Sequence, residues 1–380
     1  MNRTIRWVCW KCNYKWVQPV EKCVYCKGKT EKEIGRKLKV IGFTNVKVQS
    51  VMHPIVPYNI ILLEDEHGNR MPKKTLKEYK IGDSYEVVPS KDEHAVSITK
   101  IKYDFDEAVD EALWLIGGID VDKSKRILIK PSIMASSYPY LGAVTNPKVV
   151  SGLIDYLVLR GAAPENIVVA EQCLYNKMDD ALGKSGFGEL CKEKGVRFVD
   201  IQKSDFEEIQ VGQMKVKVST LVKENDLIIN VPVLKTHLIF GIAGALENMS
   251  RFVSVENLMQ IQVLAQSKAI DMNEAIVQLG KALPKYITLG DGSVGMQGNG
   301  PLNGEPAFLN YLLASRDCVS HDAVFAALGM FVRKPKFLEI AEKEGLGIAH
   351  IDKIPVVGNE LNAVSKEIKP ATGSLLIKGM

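Results

Sequence analysis

No stretch of 18 apolar residues occurs in the 380-residue chain, so no membrane-crossing helix is expected. The first residues, MNRTIRWVCWKC, lack a continuous apolar segment and a small-residue cleavage site. No secretory leader is expected on that reading, and the cytoplasm is the expected location. A Ser–His–Asp elbow, a Walker P-loop and an HExxH helix are all missing. Acyl-enzyme hydrolysis, P-loop ATP hydrolysis and zincin chemistry lose support accordingly. Cysteine is scarce outside the head of the chain. Of seven cysteines, four sit before residue 27, and Cys173, Cys191 and Cys318 are scattered and odd in number. That pattern excludes a secreted disulfide framework and fits a reduced compartment with one metal site.

What is present is ordinary in bulk and uneven in distribution. Hydrophobic residues make up 46% and charged residues 25%, as in soluble globular proteins. The length exceeds what one core supports, so two or three domains are expected. The net charge of +4 hides an asymmetry. Residues 1–40 hold eleven Lys and Arg against three Glu, which leaves −4 for the remaining 340 residues. A basic head is either a solvated surface or a site for an anionic partner such as the phosphates of coenzyme A or of nucleic acid.

Cys9-Trp-Lys-Cys12 and Cys23-Val-Tyr-Cys26 form two CxxC turns separated by ten residues. Each turn aims two sulfurs at one ion, and two turns complete a tetrahedral thiolate site. Four cysteines leave no open position, so a structural metal is expected over residues 1–33. Zinc is the leading candidate, and iron uses the same ligands. So small a unit cannot fold on apolar burial alone, which couples metal binding to folding.

Residues 34–103 change character. Short β-rich runs at 39–43, 46–51, 59–63, 85–88 and 95–101 are separated by turn residues such as Asp65-Glu-His-Gly68-Asn69 and Ile81-Gly82-Asp83. Five short strands predict a small OB-like barrel. The ribbon, followed by Gly42-Phe43-Thr44, Pro57-Tyr58, Gly68-Asn69-Arg70 and Lys80-Ile81-Gly82-Asp83, resembles the zinc-ribbon/OB-fold modules that accompany thiolases and related acyl-CoA enzymes. The resemblance implies docking on a thiolase-type partner or contact with coenzyme A. Single-stranded nucleic acid is the weaker alternative. OB folds bind it through stacking aromatics, and only Phe43, Tyr58 and Tyr85 lie on these strands.

Residues 104–380 alternate strand and helix signals. Ile127–Ile129 is an apolar run bounded by charges. Asn146-Pro147 opens a helix with apolar residues at helical spacing, closed by Gly161. Further strands are expected at 167–170, 226–232, 286–289 and 354–357. This alternation predicts an α/β domain, a mostly parallel sheet covered by helices, with ligands past the carboxyl ends of the strands. Lys235-Thr-His237 and Gly244-Ala-Leu-Glu247-Asn248 follow one strand end, and GDGSVGMQGNGP (290–301) follows another. The Gly290–Gly295 run reads GxGxxG, but Gly298, Gly300 and Pro301 forbid the helix a dinucleotide fingerprint must open.

With Asn230-Val-Pro232, Ser315-Arg316-Asp317 and Asp322, these motifs resemble the family known as domain of unknown function 362, over most of residues 126–358. Two departures stand out: Glu247 occupies a position where that family typically has lysine, and Cys318 one where it has proline. The family's iron–sulfur cysteines are absent. A weaker likeness links the His-x-x-x-Gly-x-x-Gly pattern to the nickel-pincer lactate racemases, where lysine and histidines around such glycines hold the cofactor. The pincer-bearing lysine would fall at Glu247, so the likeness points to a site rather than to that cofactor.

The expected roles follow. His237 is acid/base or ligand, Lys235 an anion clamp, and Asp291 acid/base or ligand. Glu247, Asn248, Asn299 and Asp322 are candidate substrate contacts. The leading expectation is an enzyme-like domain that acts on or binds a small carboxylate or acyl(-CoA) compound. A non-catalytic acyl-CoA scaffold is the competing class.

Overall fold

A computed structural model describes residues 3–51, 53–331 and 334–372. The head is a three-stranded antiparallel sheet in the order Lys15–Trp16, Thr4–Cys9, Thr30–Gly35. A four-stranded antiparallel sheet follows, ordered Arg70–Thr75, Tyr58–Glu64, Leu38–Val46, Ser84–Tyr85. A bulge between Val40 and Gly42 curls it around Leu38, Val40, Ile61, Leu63 and Met71. Leu38–Val46 is one strand, and the expected 46–51 run does not continue as a strand past Val46.

The 95–101 run, expected in a small barrel, lies elsewhere. Val96–Lys100 sits inside the large sheet between Tyr311–Ser315 and Val356–Gly358. The OB-like barrel therefore lacks its fifth strand among the described residues. Val96, Ser97, Ile98 and Thr99 are all buried, as an inner strand requires.

The large sheet is largely parallel. From its edge run Arg197–Asp200, Ile167–Glu171, Ile127–Pro131, Leu227–Val231 and Ile287–Gln297, each parallel to the next. Alternation sends Leu128 and Ile228 to one face and Ile127, Ile129 and Ile229 to the other, and helices cover both. The Phe105–Leu115 and Pro147–Leu159 helices pack on the second face. The latter is capped by Asn146, whose side chain accepts from the Lys148 amide, with Pro147 at its first position as expected. The Ala245–Met249, Met272–Ala282 and Cys318–Leu328 helices cover the first face.

Two clamps tie the head to this body. Arg3 pairs with Glu107 and Asp110 at 2.8 and 2.9 Å, and Lys32 also pairs with Glu107. At the other end of the small sheet, Glu360 accepts from the Thr75 hydroxyl at 2.5 Å and the Leu76 amide at 2.6 Å. No helix among the described residues is long and apolar enough to cross a membrane.

Candidate functional site

The four thiols converge. The sulfurs of Cys9, Cys12, Cys23 and Cys26 all lie within 4.8 Å of one another. Cys9–Cys26 is 3.3 Å and Cys12–Cys23 is 3.6 Å, close to the roughly 3.8 Å edge of a tetrahedron with 2.3 Å metal–sulfur bonds. Both knuckles close alike. The amide of Asn13 donates to the Cys9 carbonyl and that of Lys27 to the Cys23 carbonyl, and both residues take positive φ. Gly28 lets the second turn approach the first, since a Cβ there would stand 3.0 Å from the Cys9 sulfur. The amides of Cys26 and Tyr25 point at Cys23 and pull its thiol down to about 6, which favours the thiolate a metal needs. The donor set fits zinc, or iron, held by these four residues.

The second constellation lies past the strand ends. Lys130 ends one strand and pairs in register with Asn230 on the next, so both face the covering helices beside Leu128 and Ile228. Glu171 closes the neighbouring strand. The Lys130 ammonium meets the Glu171 carboxylate at 2.8 Å, both fully buried. Asn248 bridges this pair to the sheet, accepting from Lys130 and donating to the side-chain Oδ1 of Asn230 at 2.7 Å. One turn on, Glu247 pairs with Arg251 at 2.7 Å.

Lys235 and His237 come from one strand, Val233–His237, where a loop was expected. The Lys235 ammonium is buried and donates to the Ala143 carbonyl at 2.9 Å and to the Ser132 hydroxyl at 3.4 Å. Burial pushes it down to about 8, against the pull of Glu247. Burial likewise pushes the His237 imidazole down to about 4, so it is neutral near pH 7. Its Nδ1 accepts from the amides of Ile239 and Phe240 at 3.1 and 3.3 Å, which places the proton on Nε2. His237 is therefore neutral, with its Nδ1 occupied by backbone amides, and it lines the cleft. Burial alone would raise the Glu247 carboxyl, but Arg251, His237 and Lys235 outweigh it and hold it at about 2. His237, Glu247, Arg251 and Tyr175 share the wall of a cleft of about 220 Å³.

Of the residues singled out from sequence, Lys235, His237, Glu247 and Asn248 meet in this cluster. Three do not. Asp291 is buried in the Ile287–Gln297 strand, where its carboxylate accepts from the Asn146 and Ser293 amides at 2.7 and 2.9 Å. It organises the start of the Pro147–Leu159 helix instead. Asp322 lies inside the Cys318–Leu328 helix, which Asp317 begins, and it accepts from the amides of Ala245 and Leu246. It thereby caps the helix that carries Glu247. Gly244 is required there, because a Cβ would lie 2.2 Å from the Asp322 carboxylate. Asn299 is exposed and holds Thr372. Sequence reading missed Lys130, Glu171 and Arg251. Lys130 reads as a charge bounding an apolar strand, Glu171 lies one residue past the expected 167–170 strand, and the i,i+4 spacing of Glu247 and Arg251 was the available signal.

Fold and site together define an α/β protein with a four-thiol cluster at its head and, past its strand ends, a buried group of charged side chains beside a cleft lined by His237, Glu247 and Arg251. The chain belongs to the family described as "Domain of unknown function (DUF362)", whose model matches residues 127–327. It is similar to the thylakoid-associated protein sll1697 of Synechocystis sp. (strain ATCC 27184 / PCC 6803 / Kazusa), 22% identical over 211 residues, or 55% of this chain. The chain spans about 65% of the length of that curated relative. Among solved structures, an Ltp2-ChsH2(DUF35) aldolase matches with 17% identity and a TM-score of 0.18, over 21% of this chain and 68% of that one. The lactate racemase apoprotein from Thermoanaerobacterium thermosaccharolyticum matches with 14% identity and a TM-score of 0.37, over 66% and 60%. At those TM-scores neither likeness bears on function.

Proposed function

We propose that the α/β domain binds a small carboxylate or acyl compound in the cleft beside Arg251 and His237, and that the head of the chain is a structural metal module. One observation carries the first part. Among the described residues, the fully buried Lys130 and Lys235 and the mostly buried Arg251 are grouped with two carboxylates, Glu171 and Glu247. Both carboxylates already hold an ion pair, and Lys235 touches only neutral groups. An unbalanced cation in a low-dielectric interior is costly, and an anion in the adjoining cleft relieves that cost. Arg251 and the Nε2–H of His237 are the donors placed to meet it. The lining offers no free base, since Nδ1 is occupied and Glu247 is paired. The reading is therefore binding and polarisation of a carbonyl or carboxylate rather than proton abstraction.

The exposed ribbon residues Trp10, Val24 and Tyr25 support a docking role for the head, and an acyl-CoA enzyme of the thiolase type is the proposed partner. Coenzyme A is the proposed carrier of the acyl group, its phosphates matched to the basic head.

Calorimetric titration with short monocarboxylates tests the cleft. His237→Ala is expected to weaken binding about tenfold, the worth of one hydrogen bond to a charged group. Arg251→Gln made together with Glu247→Gln, which avoids stranding a buried carboxylate, is expected to abolish binding. Unchanged affinity in both variants would remove the proposal.

A pH series probes Lys235 separately. An anion favours the charged ammonium, and that group loses its proton near pH 8. Affinity should therefore be flat below pH 7 and fall as pH rises through about 8. The step should vanish in Lys235→Met.

A further inference from the structure

The cleft does not end at its charged wall. The Val255–Gln266 helix begins four residues after Arg251, and only Ile261 of its twelve residues is buried. Met259 and Val263 stand 61% and 63% exposed. Its Leu258, Ile261, Gln262, Ala265 and Gln266 recur at i, i+3, i+4, i+7 and i+8, so they form one uncharged stripe. The first three line the site cleft, and Gln262, Ala265 and Gln266 line a second cavity of about 680 Å³. The two cavities share Ile239, Gln262 and Met272, and so form one trough. Eight residues at helical rise give it a length of about 12 Å. Charge returns in the second cavity, at Lys268 and at Lys336, which pairs with Asp271.

We infer that the ligand is an amphipathic acid, with its anionic head at Arg251 and His237 and a hydrocarbon chain lying along this trough against the Val255–Gln266 helix. The inference rests on the anion-binding reading of the cleft and adds the class of its ligand. The polarity gradient argues for it. Arg251 and His237 stand in the first cavity, apolar and amide side chains line the length, and Lys268, Asp271 and Lys336 stand in the second. A ligand carrying only a carboxylate would leave the apolar stripe in water. A hydrocarbon chain removes it from water, and each enclosed methylene adds affinity.

The test is a series of straight-chain monocarboxylates from acetate to decanoate, titrated calorimetrically against the full chain and against Ala265→Trp, whose indole would plug the trough midway. For the unsubstituted protein, affinity should rise by up to about a thousandfold from propanoate to octanoate, as five methylenes are enclosed. In Ala265→Trp that gain should be lost while propanoate binds as before, which also reports that the variant is folded. Equal affinity at every length would overturn the inference and leave the anion site standing. A gain that survives the plug would also overturn it, because the chain would then lie elsewhere. If no acid binds, both readings fall. A flat series accompanied by binding to phosphatidylcholine vesicles would assign the exposed helix face to a lipid surface and likewise overturn the inference.

Discussion

Cys9→Ser combined with Cys23→Ser should reduce bound metal from about one equivalent per chain to none. It should also unfold the head of the molecule while the α/β body keeps its cooperative transition. The reason is the poverty of the ribbon core. Ile5 and Trp7 are its buried hydrophobic side chains beyond the thiols, with Trp16 and Tyr103 partly packed against them. Such a core does not offset the entropy of ordering some thirty residues, so the metal must supply the difference. Amide hydrogen exchange reads the result: protection over 4–35 should disappear, and protection over 127–131 and 227–231 should stay. Metal analysis of the unsubstituted protein separates zinc from iron at once. A metal-free protein that retained its protection over the ribbon strands would refute the structural role. Because Arg3 and Lys32 hold Glu107 and Asp110, melting of the head should also free the Phe105–Leu115 helix at its solvent face.

Lys130→Met should be the most damaging single change in the body, at about 3–5 kcal/mol, because it strands the Glu171 carboxylate where no water reaches it. Adding Glu171→Leu should restore most of the loss, since a buried ion pair replaced whole by apolar side chains is often neutral or better. Denaturant midpoints with unchanged slopes would measure both. The double variant has a second use. It removes one cation and one carboxylate together, so the excess positive charge beside the cleft survives. Anion affinity should then persist in a protein of near-normal stability. A double variant as unstable as the single one would mean that the Asn248 and Asn230 hydrogen bonds, and not the ion pair, carry the site.

The residues that were legible in the sequence are those whose chemistry is local. CxxC spacing names a metal site without any knowledge of the fold, and Asn146-Pro147 names a helix start. The motif Lys235-Thr-His237 was placed correctly past a strand end, although as a loop. What escaped were effects that only packing decides. The glycine-rich run 290–301 reads in the sequence as a loop that wraps an anionic ligand with its amides or makes tight turns. Instead most of it is strand, and its glycines admit close neighbours: a Cβ on Gly290 would lie 2.3 Å from the His321 ring and one on Gly295 would lie 2.2 Å from the Leu234 carbonyl oxygen. Asp291 reads as chemistry because it is an acid at a strand end, and Asp322 because it is an acid beside His321 at an expected helix start. Both spend their oxygens on backbone amides, which a sequence cannot show. Lys130 was hidden by the opposite bias, since a lysine beside an apolar run reads as its solvent boundary and here is its most buried end.

Finally, Val96–Lys100 precedes the region that defines the family, yet its backbone bonds the Tyr311–Ser315 strand on one side and Val356–Gly358 on the other. A fragment cut to residues 127–327 would therefore be missing its keystone. Its last strand would present a raw, apolar edge free to recruit strands from other molecules. Any shortened version meant to stand alone should begin upstream of residue 95 and run through residue 358, and the recombinant boundaries chosen for relatives deserve the same check.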